Sequence, residues 1–132
     1  MESLWSKPAE KAVLVGLNAA MFSPEETASE DSLDELEALL QTAGGECVAK
    51  VLQNRPAPDP HSFIGEGKAQ EVRELMEQEQ AQLVILDNDL TPSQIRALED
   101  LTGGTVLDRS ALILDIFAQR AKTREGLSLI HI

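Results

Sequence analysis

Four short apolar runs, separated by stretches with helical periodicity, constrain this chain more than anything else in it. Ala12-Val13-Leu14-Val15-Gly16-Leu17 is rich in valine and ends in glycine, the pattern of a buried strand. Glu46-Cys47-Val48-Ala49-Lys50-Val51-Leu52-Gln53 reads as a second strand, less hydrophobic and nearer an edge. Gln82-Leu83-Val84-Ile85-Leu86-Asp87 is the clearest strand, and Thr105-Val106-Leu107-Asp108 a short fourth. A parallel sheet covered on both faces needs runs of this kind, because neither side of the strand can be polar.

The intervening segments carry helix signals. Ser32-Leu33-Asp34-Glu35 has the form of a capping box, and Leu33, Leu36, Leu39 and Leu40 follow at helical spacing up to Gly44-Gly45. Arg55 to Pro60 holds three prolines and cannot be regular structure. Phe63-Ile64-Gly65-Glu66-Gly67-Lys68 opens a second helix with Val72, Leu75 and Met76 inward. Thr91-Pro92-Ser93 starts a third, with Pro in its first turn, a stripe of Ile95, Leu98 and Leu101, and an end at Gly103-Gly104. Strand and helix alternate with short connections, which predicts an α/β fold: a small parallel sheet of about four strands, helices on both faces, then a C-terminal helix. A doubly wound arrangement is the expected topology, although strand order cannot be read from one sequence. Residues 12–108 form the expected α/β body, preceded by a flexible N-terminus over residues 1–11.

Charge excludes several classes. The chain holds 23 acidic and 11 basic side chains, a net charge of −12, which argues against adhesion of the body to nucleic acid or membrane surfaces. From Asp108 onward the balance is 3 acidic to 4 basic, so a locally basic helix ends an acidic chain. No apolar run is long enough for a transmembrane span, and no secretory signal is visible. A single cysteine, Cys47, fits a reduced, cytoplasmic setting. His61 and His131 lie far apart, so no cluster has metal-ligand spacing, and no serine, cysteine or threonine is set beside a histidine as in a hydrolase triad.

Three constellations remain. Gly65, Gly67 and Lys68 at a helix start would suit an anion or nucleotide phosphate, or form only a tight turn that needs glycine. They are not a P-loop, since G-x-x-x-x-G-K-[ST] occurs nowhere in the chain, nor a dinucleotide fingerprint, since Gln70 occupies the third small-residue position. Asp87-Asn88-Asp89 follows the best strand, where open α/β sheets place their sites, but the first strand ends in Gly16-Leu17-Asn18, without the carboxylates a phosphoacceptor domain requires. Acidic residues there also serve as turn and helix cap. Asp108-Arg109-Ser110 precedes the last helix, where Asp108 or Ser110 is the expected cap and Leu112, Ile113, Ile116 and Phe117 form an apolar stripe. Arg120 and Arg124 share one face of that helix and fit either phosphates or the acids of this same domain.

Taken together, Phe63 to Val72, Leu83 to Gln94 with Arg96, Leu98 and Glu99, and the run Asp108-Arg109-Ser110-Ala111-Leu112-Ile113-Leu114-Asp115-Ile116-Phe117-Ala118-Gln119-Arg120-Ala121-Lys122-Thr123-Arg124-Glu125-Gly126 resemble the N-terminal region of the HflX family of ribosome-associated GTPases. The last run satisfies every fixed position of the family pattern D-R-[ST]-x-L-I-L-D-I-F-A-x-R-A-x-[ST]-x-E-[GA], and the resemblance covers roughly Ala12 to Gly126. It implies an α/β N-terminal domain, a helical extension starting over residues 109–126, and then a P-loop GTPase domain that uses GTP and Mg²⁺. It also implies binding to the large ribosomal subunit and its rRNA, splitting or rescue of ribosomes, and no DNA partner. Arg109, Arg120, Lys122 and Arg124 are then the candidate RNA contacts. The family's P-loop, Mg²⁺ ligand and guanine-reading motif do not occur here, and Leu127 to Ile132 departs from the family's polar helix, so a fragment with an atypical tail is expected, without catalysis or cofactor of its own. The alternative is a small-ligand or nucleotide-binding α/β domain without catalytic activity. Exposure of Ile116 and Phe117 in such a fragment predicts self-association.

Overall fold

The computed structural model describes residues 10–118. In chain order these form β1 (Glu10–Ala19), α1 (Glu30–Thr42), β2 (Gly45–Arg55), α2 (Glu66–Glu79), β3 (Leu83–Leu86), α3 (Pro92–Thr102) and β4 (Thr105–Asp108), followed by a helix over residues 109–118, here α4. Four parallel strands make one sheet in the order β2-β1-β3-β4. The chain leaves β1 toward β2 on one side and later returns to β3 on the other. The C-terminal ends of β1 and β3 therefore flank the point where the winding reverses, the usual place for a site in this architecture.

Burial explains why the strands read as unbroken apolar runs. Val13, Val15, Leu17, Val84, Leu86 and Val106 face a cluster completed by Ala69, Val72 and Met76 of α2 and Leu98 of α3. Ala12, Leu14 and Ile85 face the opposite cluster, with Leu33, Leu36 and Leu40 of α1 and Leu112 and Ile116 of α4. The sheet is thus covered on both faces, as expected. β2 is an edge strand, only partly buried along its length, with a register shift against β1 between Ala12 and Val13 that leaves Val48 as the extra residue.

Three expectations are corrected. α1 starts at Glu30, not Ser32: Ser29 is the N-cap, accepting from the Ser32 N–H, while Ser32 Oγ accepts in return from the Ser29 N–H. Ser32 is therefore the third residue of the box rather than its first. α2 starts at Glu66, not Phe63, because Phe63 (φ 67°) and Gly65 (φ 78°) hold backbone angles that no right-handed helix contains. Ile116 is buried at 8% exposure, leaving Leu114 (67%) and Phe117 (62%) as the exposed apolar residues of α4.

Candidate functional site

The last residues of β3 are apolar and fully buried, and the chain turns polar at once with Asp87-Asn88-Asp89. Each of these three side chains reaches a different part of the molecule. Asn88, 5% exposed, faces back to β1: the Leu17 N–H donates to its Oδ1 at 2.8 Å, and its Nδ2 donates to Leu17 O at 3.0 Å and Glu26 O at 2.9 Å. It thereby ties the end of β1 and the loop before α1 to the end of β3. Read from the sequence, this position predicts only a turn and helix cap.

Asp87 is 3% exposed and meets Arg109 from the first turn of α4. Arg109 Nε donates to Asp87 Oδ1 at 2.8 Å, its Nη2 contacts the same oxygen, and Nη2 also donates to Ser32 O at 2.8 Å. Ser32 Oγ donates to the other carboxylate oxygen of Asp87. A carboxylate removed from water is tolerable only when paired and hydrogen-bonded in this way. Arg109 has 26% of its side chain exposed, so one rim of the guanidinium meets solvent. Asp108 and Ser110 complete the junction. Asp108 Oδ1 caps α4 by accepting from the Ala111 N–H at 2.9 Å, while its Oδ2 accepts from the Leu90 N–H at 3.2 Å. Ser110 Oγ donates to Asp89 Oδ1 at 3.0 Å. Three consecutive residues at the start of α4 thus each engage the loop after β3.

These groups line a cleft of about 660 Å³ at the C-terminal end of the sheet. Phe22, Pro24, Phe63 and Ile113 form apolar wall, and Phe22 stacks on Phe63 with ring centroids 6.3 Å apart. Among the described residues, five carboxylates, of Glu25, Glu26, Glu35, Asp87 and Asp89, line the cleft against one guanidinium, that of Arg109. This surface repels phosphates. Among the described residues no group of three or more histidine, cysteine, aspartate or glutamate side chains is arranged to hold a metal ion. With no P-loop in the sequence either, the described residues that line this cleft do not fit a GTP–Mg²⁺ complex, and no step of GTP chemistry is assigned to them.

Gly65, Gly67 and Lys68 lie apart from the cleft lining, at the N-terminus of α2. Gly65 caps that helix without a side-chain bond, and its φ of 78° favours glycine; a Cβ there would also displace the end of the Arg55 side chain, 2.3 Å away at Nη1. A Cβ on Gly67 would meet nothing within 4 Å. Lys68 Nζ pairs with Glu71 Oε1 at 3.0 Å on its own helix. The loop before α2 is closed by Asp59, whose Oδ1 accepts from the His61 and Ser62 N–H groups; these bonds hold its carboxyl below the usual aspartate value. Burial, with the Glu37 carboxylate second, pushes the Cys47 thiol up. Arg109 is thus placed inward on Asp87, whereas Arg120, Lys122 and Arg124, together with residues 1–9 and 127–132, lie outside the described residues.

Comparison with known proteins follows this geometry closely. The family described as GTP-binding GTPase N-terminal matches residues 30–118, from α1 through α4. GTPase HflX of Caldanaerobacter subterraneus subsp. tengcongensis is 40% identical over 132 residues, covering 100% of this chain and 29% of the relative. GTPase HflX of Escherichia coli is 44% identical over 117 residues, covering 89% of this chain and 26% of the relative. The chain therefore spans under a third of the length of these relatives. Among solved structures, the G235S variant of SsGBP superposes with a TM-score of 0.65 at 23% identity, covering 92% of this chain and 36% of that one. A GTP-binding protein from Sulfolobus solfataricus in complex with GDP superposes at 0.60 and 23% identity, covering 83% and 30%. At that identity the superpositions support the fold alone. The sequence matches carry the assignment: the chain belongs to the GTP-binding GTPase N-terminal family and corresponds to the N-terminal part of GTPase HflX.

Proposed function

We propose that this chain is the ribosome-facing, regulatory N-terminal module of an HflX-type GTPase that binds the large ribosomal subunit and splits or rescues ribosomes in the cytoplasm. The observation that supports this most is the run from Asp108: α4 is tied to the α/β body at its start, and the sequence beyond the described residues holds Arg120, Lys122 and Arg124. An acidic body disfavours contact with RNA over most of its surface, so a polyanion is met where the charge reverses. GTP and Mg²⁺ belong, on this reading, to the part of the relatives, more than two thirds of their length, that this chain does not span. No helix among the described residues is long and apolar enough to cross a membrane. The test is co-sedimentation of large subunits with the full-length GTPase that carries this chain, wild type against Arg120→Ala/Lys122→Ala/Arg124→Ala. Weaker binding is expected, with the salt slope reduced by up to about three. Unchanged co-sedimentation at every salt concentration would overturn the assignment.

The cleft favours a second reading, a small-ligand domain without catalysis. Its acidic lining selects against nucleotides there, leaving the N-terminus of α2 as the candidate nucleotide-phosphate position. Calorimetric titration with ATP and GTP decides: binding lost in Lys68→Ala supports that position, and no heat from the wild type rules it out.

A further inference from the structure

We infer that Arg109 is a positioning residue, and that its contacts with Asp87 and Ser32 form a latch fixing the direction in which α4 leaves the body. Three features carry this. First, three consecutive side chains converge at the root of the helix. Asp108, Arg109 and Ser110 each engage the β3–α3 loop or the start of α1, and further along α4 Leu112 and Ile116 pack in the apolar cluster against the sheet. Apolar contact is non-directional and tolerates sliding, whereas a guanidinium held by a carboxylate and a carbonyl accepts one orientation. Second, the acceptor is built for a guanidinium. Asp87 is almost wholly enclosed, Ser32 Oγ takes its second oxygen, and Ser32 O is placed to receive Nη2. Third, the cleft and the latch share residues. Asp87, Asp89, Arg109, Ser110 and Ile113 all line it, so a group entering the cleft acts on the root of α4, and a pull on α4 acts on the cleft.

This goes beyond the ribosome reading and does not depend on it, because the test uses the 132-residue chain alone. Hydrogen exchange is followed along the chain for wild type, Arg109→Ala, Arg109→Lys and Asp87→Asn/Arg109→Ala, with and without ethylguanidinium. Removing the guanidinium is expected to speed exchange of amides in residues 109–118 about tenfold beyond any change in β1 and β3. Ethylguanidinium should restore protection to Arg109→Ala by occupying the vacated place, and should not restore the double variant, which has lost the carboxylate. Arg109→Lys keeps charge but cannot reach Asp87 and Ser32 O together, so it should fall between. If Arg109→Ala does not fold, Arg109→Lys decides by the same local comparison. Exchange in 109–118 that rises only in step with β1 and β3, or rescue of the double variant as large as that of the single, would overturn the latch.

Discussion

The pair Asp87–Arg109 makes an asymmetric prediction about stability. Among the described residues Arg109 supplies the one guanidinium lining the cleft; Arg109→Ala removes it and leaves a carboxylate with 3% exposure supported by one serine hydroxyl. Breaking a buried pair from one side costs about 3–5 kcal/mol, because the remaining charge stays desolvated. The lower end applies here, since 26% of the Arg109 side chain is exposed and water can enter where it stood. Against a typical domain stability of about 5–15 kcal/mol, a loss of about 3 kcal/mol is large. With a urea slope of about 1–3 kcal/mol/M, the unfolding midpoint should fall by about 1–3 M. Asp87→Asn should cost less, because a partly exposed guanidinium rehydrates more readily than an enclosed carboxylate. The double variant Asp87→Asn/Arg109→Ala should be more stable than Arg109→Ala alone, a sign that independent contributions cannot produce. Urea unfolding of the four proteins at neutral pH measures all of this. A cost below about 1 kcal/mol for Arg109→Ala, or strict additivity in the cycle, would refute the claim that the pair is a desolvated unit.

Other outcomes follow from packing and titration. Leu112→Ala truncates a side chain of α4 that is 2% exposed beneath the sheet, and should cost about 2–4 kcal/mol by thermal or urea unfolding. Gly65→Ala meets both a φ of +78° and the Arg55 guanidinium, so it should destabilise by at least about 1 kcal/mol, whereas Gly67→Ala, in open space and inside a helix, should be neutral or stabilising. Asp59 has a folded value below its unfolded one, so its contribution is present above about pH 4 and is lost as pH falls through the lower folded value. Asp59→Asn keeps the accepting oxygen and should flatten that acid limb when urea midpoints are compared between about pH 5 and about pH 3; identical acid limbs would contradict it.

How much of this was legible in the sequence depended on the range of the interaction. The strand interiors announced themselves because both faces of the sheet are covered, so Val13 to Val15 and Val84 to Leu86 could hold no polar residue. The start of α3 was legible too, since Thr91 and Pro92 carry their signal locally and the observed cap is Thr91 with Gln94. The start of α1 is displaced because Ser32-Leu33-Asp34-Glu35 has the local form of a box, whereas the reciprocal bonds run between Ser29 and Ser32, a pair without the usual Glu or Gln at its third position. Strand order and the Asp87–Arg109 contact lay beyond a local reading. A signal existed nonetheless: an aspartate directly after a buried apolar strand needs a cationic partner, and Arg109 directly follows the neighbouring strand, just as Asp87 follows β3. Using that signal required knowing that β4 lies beside β3. Asn88 gave no signal of its own, because its partners are backbone groups of Leu17 and Glu26, 71 and 62 positions away.

The position of α4 decides what kind of module this is. Without it, Ala12, Leu14 and Ile85 would be covered by α1 alone, and the β3–β4 side of that face would lie open to water. Leu112 and Ile116 close it, so α4 is part of the core as well as the way out of the domain. A helix with both duties cannot change direction without disturbing either the apolar cluster or the charged junction at its root. Of the two, the junction is the more selective, because it borders the cleft and is made of groups whose geometry admits few alternatives. The exposed Leu114 and Phe117 lie one turn apart and away from both. The consequence is a division of labour along ten residues: the first turn sets direction, the buried stripe of Leu112 and Ile116 sets depth, and Leu114 and Phe117 face outward.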